Sequence, residues 1–312
     1  MRTAPSRPPG RARKSLSTLK RRIGTTLFVL VCVGGLLGAW AWWNGTVGNV
    51  PIREHCTAVA SGTVHEVDPE QAGNAAIIAA VAVRRQMPAR AATIGITTAV
   101  QESKLRNIEY GDRDSLGLFQ QRPSQGWGTR KQILDPVYAS GEFFDALAKV
   151  DGYETMPITE VAQRVQRSGF PDAYADHEPE GRVMASTLSG YSPAGFSCVL
   201  HGPPPDLADE KPGDGGLTPR AQAVAKAASR EAGRSVAVAG ASDGKTLRFT
   251  VPAADLNRYG WSLGQWAVAR ANGLHIVSVG VNDREWTRED STAGWQKRDE
   301  ALPPGTVEVR VA

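Results

Sequence analysis

The sequence predicts a mainly α domain of the α+β kind behind one N-terminal transmembrane helix, with a small α+β domain at the C-terminal end. Three observations predict it. An uncharged apolar run, Thr25–Trp43, has about the 20 residues that a helix needs to cross a hydrocarbon core. Two apolar stretches with helical period follow, at 70–87 and 89–105. A Pro/Gly-rich stretch, 202–217, then precedes a set of β-branched runs.

Residues 1–22 form a basic tail with Arg2, Arg7, Arg11, Arg13, Lys14, Lys20, Arg21 and Arg22 and no acid. The formal charge of +4 is therefore a tail effect, and the remainder is net acidic, so no basic groove for nucleic acid is implied. The span is placed at 23–44, with Trp40, Trp42 and Trp43 at the interface belt and the positive flank in the cytoplasm. A cleaved signal peptide is the alternative, with Ala39-Trp40-Ala41 as a small-x-small site. The run exceeds an ordinary signal core, however, and bulky Trp fills the cleavage zone. Either way the bulk of the chain is expected outside the cytoplasm, on a single-pass membrane protein with its N-terminus inside.

Residues 45–69 read as a stalk. The first helix is expected from Glu70 to about Met87, ended by Pro88. The second runs from about Ala89 to Leu105, and its Gly95 implies close packing against a neighbour. Residues 107–130 lose periodicity and fill with Gly, Asp, Ser and Gln, the composition of a loop lining a cleft. Helices resume at Asp135–Val150, with Asp135-Pro136 as cap and first position, and at Thr159–Arg167. The first domain is bounded at 70–201 and the linker at 202–217. In 218–312, helices are expected at Pro219–Ala232 and Ala254–Ala271, and strands at Ser235–Ala239, Thr246–Val251, His275–Val281 and Val307–Val311.

Cys32 lies within the apolar run. Cys56 and Cys198 bracket the suspected catalytic region, and an oxidising compartment would let them pair. The five histidines show no zinc spacing. The calcium-like start Asp112-Arg113-Asp114-Ser115-Leu116-Gly117 has Leu116 at a ligand position and Pro123 where the bidentate Glu belongs. No metal or other cofactor is expected. His177-Glu178 beside Asp176 reads as a solvated polar turn.

Glu102 closes an apolar helix in Val100-Gln101-Glu102-Ser103, and Gly117-Leu118-Phe119-Gln120-Gln121 follows shortly after. This Glu-Ser pair and the Gly-Leu-aromatic-Gln turn resemble the lytic transglycosylase and goose-type lysozyme families, which makes residues 70–201 a mainly α lysozyme-like domain by expectation. The resemblance implies that Glu102 is the general acid that breaks a glycosidic bond in peptidoglycan. It also implies that Ser103, Gly117, Leu118, Phe119, Gln120 and Gln121 line the glycan site, with Phe119 where the family has Met. The family's later Tyr-Asn-Ala-Gly element is not present as such. Either Gln166, in Val165-Gln166-Arg167-Ser168-Gly169, or Tyr174 is the candidate for its place.

Protonating a glycosidic oxygen near neutral pH requires a carboxyl raised by burial. A helix end, where partial negative charge gathers, disfavours the carboxylate further. A hydrolase needs a second carboxylate to activate water, and Asp112 and Asp114 are the candidates. A transglycosylase of this family needs none, because the sugar's own 6-hydroxyl closes on the anomeric carbon. The expected partners are peptidoglycan glycan strands, the membrane through one helix, and a cell-envelope protein through the C-terminal domain, where exposed Trp would favour sugar stacking and buried Trp only a core. The alternative to an enzyme is a non-catalytic envelope module that binds glycan or scaffolds a cell-wall or secretion complex.

Overall fold

The computed structural model describes residues 31–40, 53–167, 173–203, 207–234, 236–237, 243–251 and 253–312. The chain divides into residues 1–52 and one compact unit, residues 53–312. This corrects the expected fold class on two counts.

The first correction is the transmembrane helix. Within the expected span 23–44, only residues 31–40 are described, and all of them are helical. Among the described residues no helix is long and apolar enough to cross a membrane. The basic tail 1–22 lies outside the described residues.

The second correction is the division into stalk, lysozyme-like domain and separate C-terminal domain. The expected stalk contains a β-hairpin, β1 (His55–Ala60) and β2 (Thr63–Val67), turning at Ser61 and Gly62 with φ of 50° and 78°. Positive φ at both central residues is the backbone that suits a two-residue hairpin. Strand β3 (Phe196–Val199) pairs with β1 on its other side, giving an antiparallel sheet of order β2-β1-β3. Cys56 and Cys198 face each other across β1 and β3 and form the disulfide.

Helix α1 (Pro69–Arg84) starts at an Asp68 capping box with Gln71 and is buried from Ala72 through Ala82. A helix apolar on every side must be covered on every side. Helix α2 (Ala89–Ser103), α3 (Pro136–Leu147, capped by Asp135), α4 (Ile158–Gln166) and α5 (Glu178–Leu188) complete the first half. The close approach expected at Gly95 is present: an added Cβ would sit 2.9 Å from Ile78 and 3.2 Å from the Phe144 ring.

The main elements that follow are α6 (Pro219–Ala232), β4 (Val236–Ala237), β5 (Thr246–Thr250), α7 (Leu256–Ala269), β6 (Ile276–Val281), β7 (Arg284–Thr287), β8 (Gln296–Lys297) and β9 (Thr306–Val311). They form an antiparallel sheet of order β4-β5-β9-β6-β7-β8. This half is joined to the first by buried polar contacts. Trp286 Nε1 donates to Cys198 O at 3.0 Å, and Trp295 Nε1 to Phe196 O at 2.7 Å. Gln265 accepts from Phe196 N at 2.7 Å and donates to Thr187 O at 2.5 Å, while Ser262 Oγ donates to Leu188 O at 2.8 Å. Trp261, Trp266, Trp286 and Trp295 are all buried, so they build a core and offer no stacking surface.

Candidate active site

Glu102 occupies the last turn of α2. The helix ends abruptly because Lys104 and Leu105 both take left-handed backbone, with φ of 56° and 57°. For residues with a Cβ this costs roughly 1–2 kcal/mol each. Two amides from α1 hold the exit in place: Gln71 donates to Lys104 O at 2.9 Å and Asn74 to Leu105 O at 2.7 Å. The helix end is thereby fixed relative to the core that carries it.

Two side chains converge on the Glu102 carboxylate, and one of them also reaches the turn below it. Tyr174, itself buried, donates its hydroxyl to Glu102 Oε1 at 2.7 Å. The Gln166 amide hydrogen-bonds the Glu102 carboxylate and donates to Phe119 O at 2.7 Å. Both residues that competed for the family's third element therefore stand at the site together. Burial raises the Glu102 carboxyl above its ordinary range, and the hydrogen bonds from Tyr174 and Gln166 pull the other way without cancelling it.

The Gly-Leu-Phe-Gln turn packs beneath this group. Ser103 Oγ lies 2.8 Å from Leu118 O and 3.1 Å from Ala99 O, so its proton ties the turn to α2. Gly117 has φ of 74° and donates to Ile108 O at 2.7 Å, and an added Cβ would meet Ile133 O at 2.8 Å. Leu118 and Phe119 are fully buried, and Phe119 stacks on Phe143 with ring centroids 4.5 Å apart. Gln121 is also buried and donates to Ala139 O at 3.2 Å. The side chains of Ser103, Leu118, Phe119 and Gln121 are thus buried and shape the turn from inside. Gln120 differs: it is half-buried, with its amide near Tyr110 O and Gly117 O at 3.4 and 3.3 Å. The exposed Tyr110 beside it is an aromatic surface that the sequence reading did not single out. An exposed large ring in a loop next to a polar amide is the signal that would have found it.

The two aspartates differ in kind. Asp114 accepts from Ser124 N at 2.8 Å, Ser124 Oγ at 3.0 Å and Arg122 Nε at 3.1 Å. These bonds hold its carboxyl down at about 2, too weak a base for activating water. Asp112 is exposed and lies 3.9 Å from Arg113 Nε.

Two clefts, of about 640 and 540 Å³, open on the side of α2 that faces α5 and the hairpin. The larger is lined by Ser61, Arg90, Thr93, Glu178 and Tyr191, the other by His65, Gln71, Lys104, His177 and Glu180. Glu102 lines neither of them. Residues 168–172, between Gln166 and Tyr174, lie outside the described residues. His177, expected in a solvated turn, is instead wedged between Gln101 and Glu180. No family model matches the chain, and a search of curated proteins finds no match.

Proposed function

We propose that this chain is a peptidoglycan-cleaving enzyme in which Glu102 is the general acid, with the chemistry of the lytic transglycosylase and goose-type lysozyme families. One observation carries the reading: a helix-end carboxyl raised by burial, held by Tyr174 at 2.7 Å and by an amide that also grips the Gly-Leu-Phe-Gln turn. With Oε1 accepting from Tyr174, the proton rides on the other oxygen and passes to the leaving glycosidic oxygen as the oxocarbenium-like centre forms. Tyr174 and Gln166 then stabilise the carboxylate that remains, so the acid and its conjugate base are both supported.

Asp114 is held too low to activate water, and of the two candidate carboxylates this leaves the exposed Asp112; the single-carboxylate route, which needs neither, is the one preferred. In that route the deprotonated Glu102 takes the proton of the sugar's 6-hydroxyl as that oxygen closes on the anomeric carbon. Glycan strands of the wall are the substrate, with Gln120 and the exposed Tyr110 as the polar and aromatic contacts offered beside the turn. The disulfide Cys56–Cys198 supports action in an oxidising compartment outside the cytoplasm, where this polymer lies. Release of soluble fragments from purified peptidoglycan tests the reading. Glu102→Gln removes the transferable proton at constant size and is expected to lower the rate by at least a hundredfold, with an unchanged fold. An equal rate in the variant would overturn it.

A further inference from the structure

We propose that His177 is a positioning residue for the Glu102 site: its imidazole clamps the turn that carries Tyr174 onto α2, and so sets where the Tyr174 hydroxyl meets Glu102. Tyr174 leads directly into a short turn, Ala175–His177, and then into α5. The His177 N–H donates to Tyr174 O at 3.2 Å, and Thr97 Oγ1 on α2 donates to His177 O at 3.5 Å. The ring reaches in two directions. Its Nε2 lies 2.9 Å from Gln101 Oε1, on the residue next to Glu102, and its Nδ1 lies 2.6 Å from Glu180 Oε1 on α5. Thr97 and Gln101 are one helical turn apart and therefore share a face of α2.

The far end of the clamp is itself held. Glu180 Oε2 lies 3.2 Å from His65 Nε2 on β2, which ties the hairpin into the same chain of contacts. The next residue, Gly181, lets α5 approach α2 so closely that an added Cβ would stand 2.1 Å from Thr97 Oγ1. The charged and titratable groups facing His177 are Glu180 on α5, His65 on β2 behind Glu180, and Lys104 at the end of α2, with Nζ 3.4 Å from Nε2. A ring with about a fifth of its surface exposed, spanning two elements, is a spacer of fixed width. Without it the turn keeps its main-chain bonds but loses its lateral anchor, and the Tyr174 hydroxyl is no longer aimed at Glu102.

The consequence for catalysis rests on the reading of Glu102 as the acid, but the clamp can be tested without any turnover. Because the Tyr174 hydrogen bond favours the carboxylate, its loss moves the Glu102 titration upward. The experiment is a carbon-13 NMR titration of the full chain labelled at glutamate carboxyls, with the Glu102 signal assigned by its absence in Glu102→Gln. Tyr174→Phe is expected to shift the Glu102 midpoint up, and His177→Ala to shift it in the same direction. The combined variant is expected to move no further than the larger single shift, since both act through one hydrogen bond. His177→Gln, which keeps a donor towards Gln101, is expected to recover most of the wild-type midpoint. Should His177→Ala not fold, Gln101→Ala cuts the same clamp from the α2 side and carries the same expectation. An unmoved midpoint, or a shift that adds fully to that of Tyr174→Phe, would overturn the proposal. A preserved coupling in a protein that cleaves no glycan would remove the acid reading and leave the clamp standing.

Discussion

Replacing Cys56 and Cys198 together by Ser cuts the covalent link between β1 and β3. The bond spans 142 positions of sequence, and the loop it closes carries Glu102, Gln166 and Tyr174. In the chain-entropy account, closing a loop of that length removes about 5 kcal/mol of freedom from the unfolded chain. This is comparable with the whole stability of a typical domain, roughly 5–15 kcal/mol. The folded state changes less, because register pairs from His55↔Val199 to Ala58↔Phe196 keep the strands together. The two buried hydroxyls add a smaller desolvation cost. Urea unfolding followed by the fluorescence of the four buried tryptophans reads the effect. With a slope of about 3 kcal/mol per molar urea, the midpoint is expected to fall by about 1.5 M, with a steeper slope as the unfolded chain expands. A fall of less than about 0.3 M, corresponding to about 1 kcal/mol, would refute the reasoning, because the bridge would then not restrain the unfolded ensemble.

Three further outcomes are expected. Glu102 keeps its proton in the folded state to a higher pH than in the unfolded state, so folding stability falls as pH rises between the ordinary carboxyl range and its raised folded value. Glu102→Gln should therefore melt later than wild type at pH 8, with the gap closing by pH 4; equal gaps at both would count against a raised carboxyl. Asp114 is the opposite case: its contribution is fully present above the ordinary carboxyl range and is lost as pH falls through about 2. Asp114→Asn should lower the Tm at pH 7 and lose that effect in strong acid, and a pH-independent difference would point to packing instead. Ser103→Ala leaves the Leu118 carbonyl without its tie and should cost about 1–3 kcal/mol of stability with KM unchanged; a raised KM at full stability would return Ser103 to the substrate.

Much of the helical order was legible because capping chemistry is local. Asp135-Pro136 and Thr218-Pro219 mark true helix starts, and the Glu102 helix ends within two residues of its expected end. The hairpin was missed because Gly, Asn and Pro ahead of it read as stalk, although Ser61-Gly62 lies between two alternating runs. Helix α5 was missed because Asp176, His177 and Glu178 read as a polar turn, while Pro179 and the later Val183, Met184 and Leu188 carry the helical signal. The single compact unit was hidden for a different reason. Helix α7 is buried without a break from Gly260 to Ala269, and such a helix needs cover on more than one side. Its sheet supplies one side, and α1 with α5 supplies the other. A self-contained C-terminal domain could not have met that demand. At the site, sequence placed Glu102 and the turn but could not choose between Gln166 and Tyr174, because nothing local shows that one chain reversal brings both to the same carboxylate.

The central claim is that Glu102 delivers the proton that breaks a wall glycan. Mass spectrometry of the fragments released from purified peptidoglycan by the full chain, run beside Glu102→Gln, tests it most directly. Fragments with anhydro-muramoyl ends are expected from the wild type and none from the folded variant. Release at equal rates by both, or no release by a folded wild type from several wall types, would contradict it.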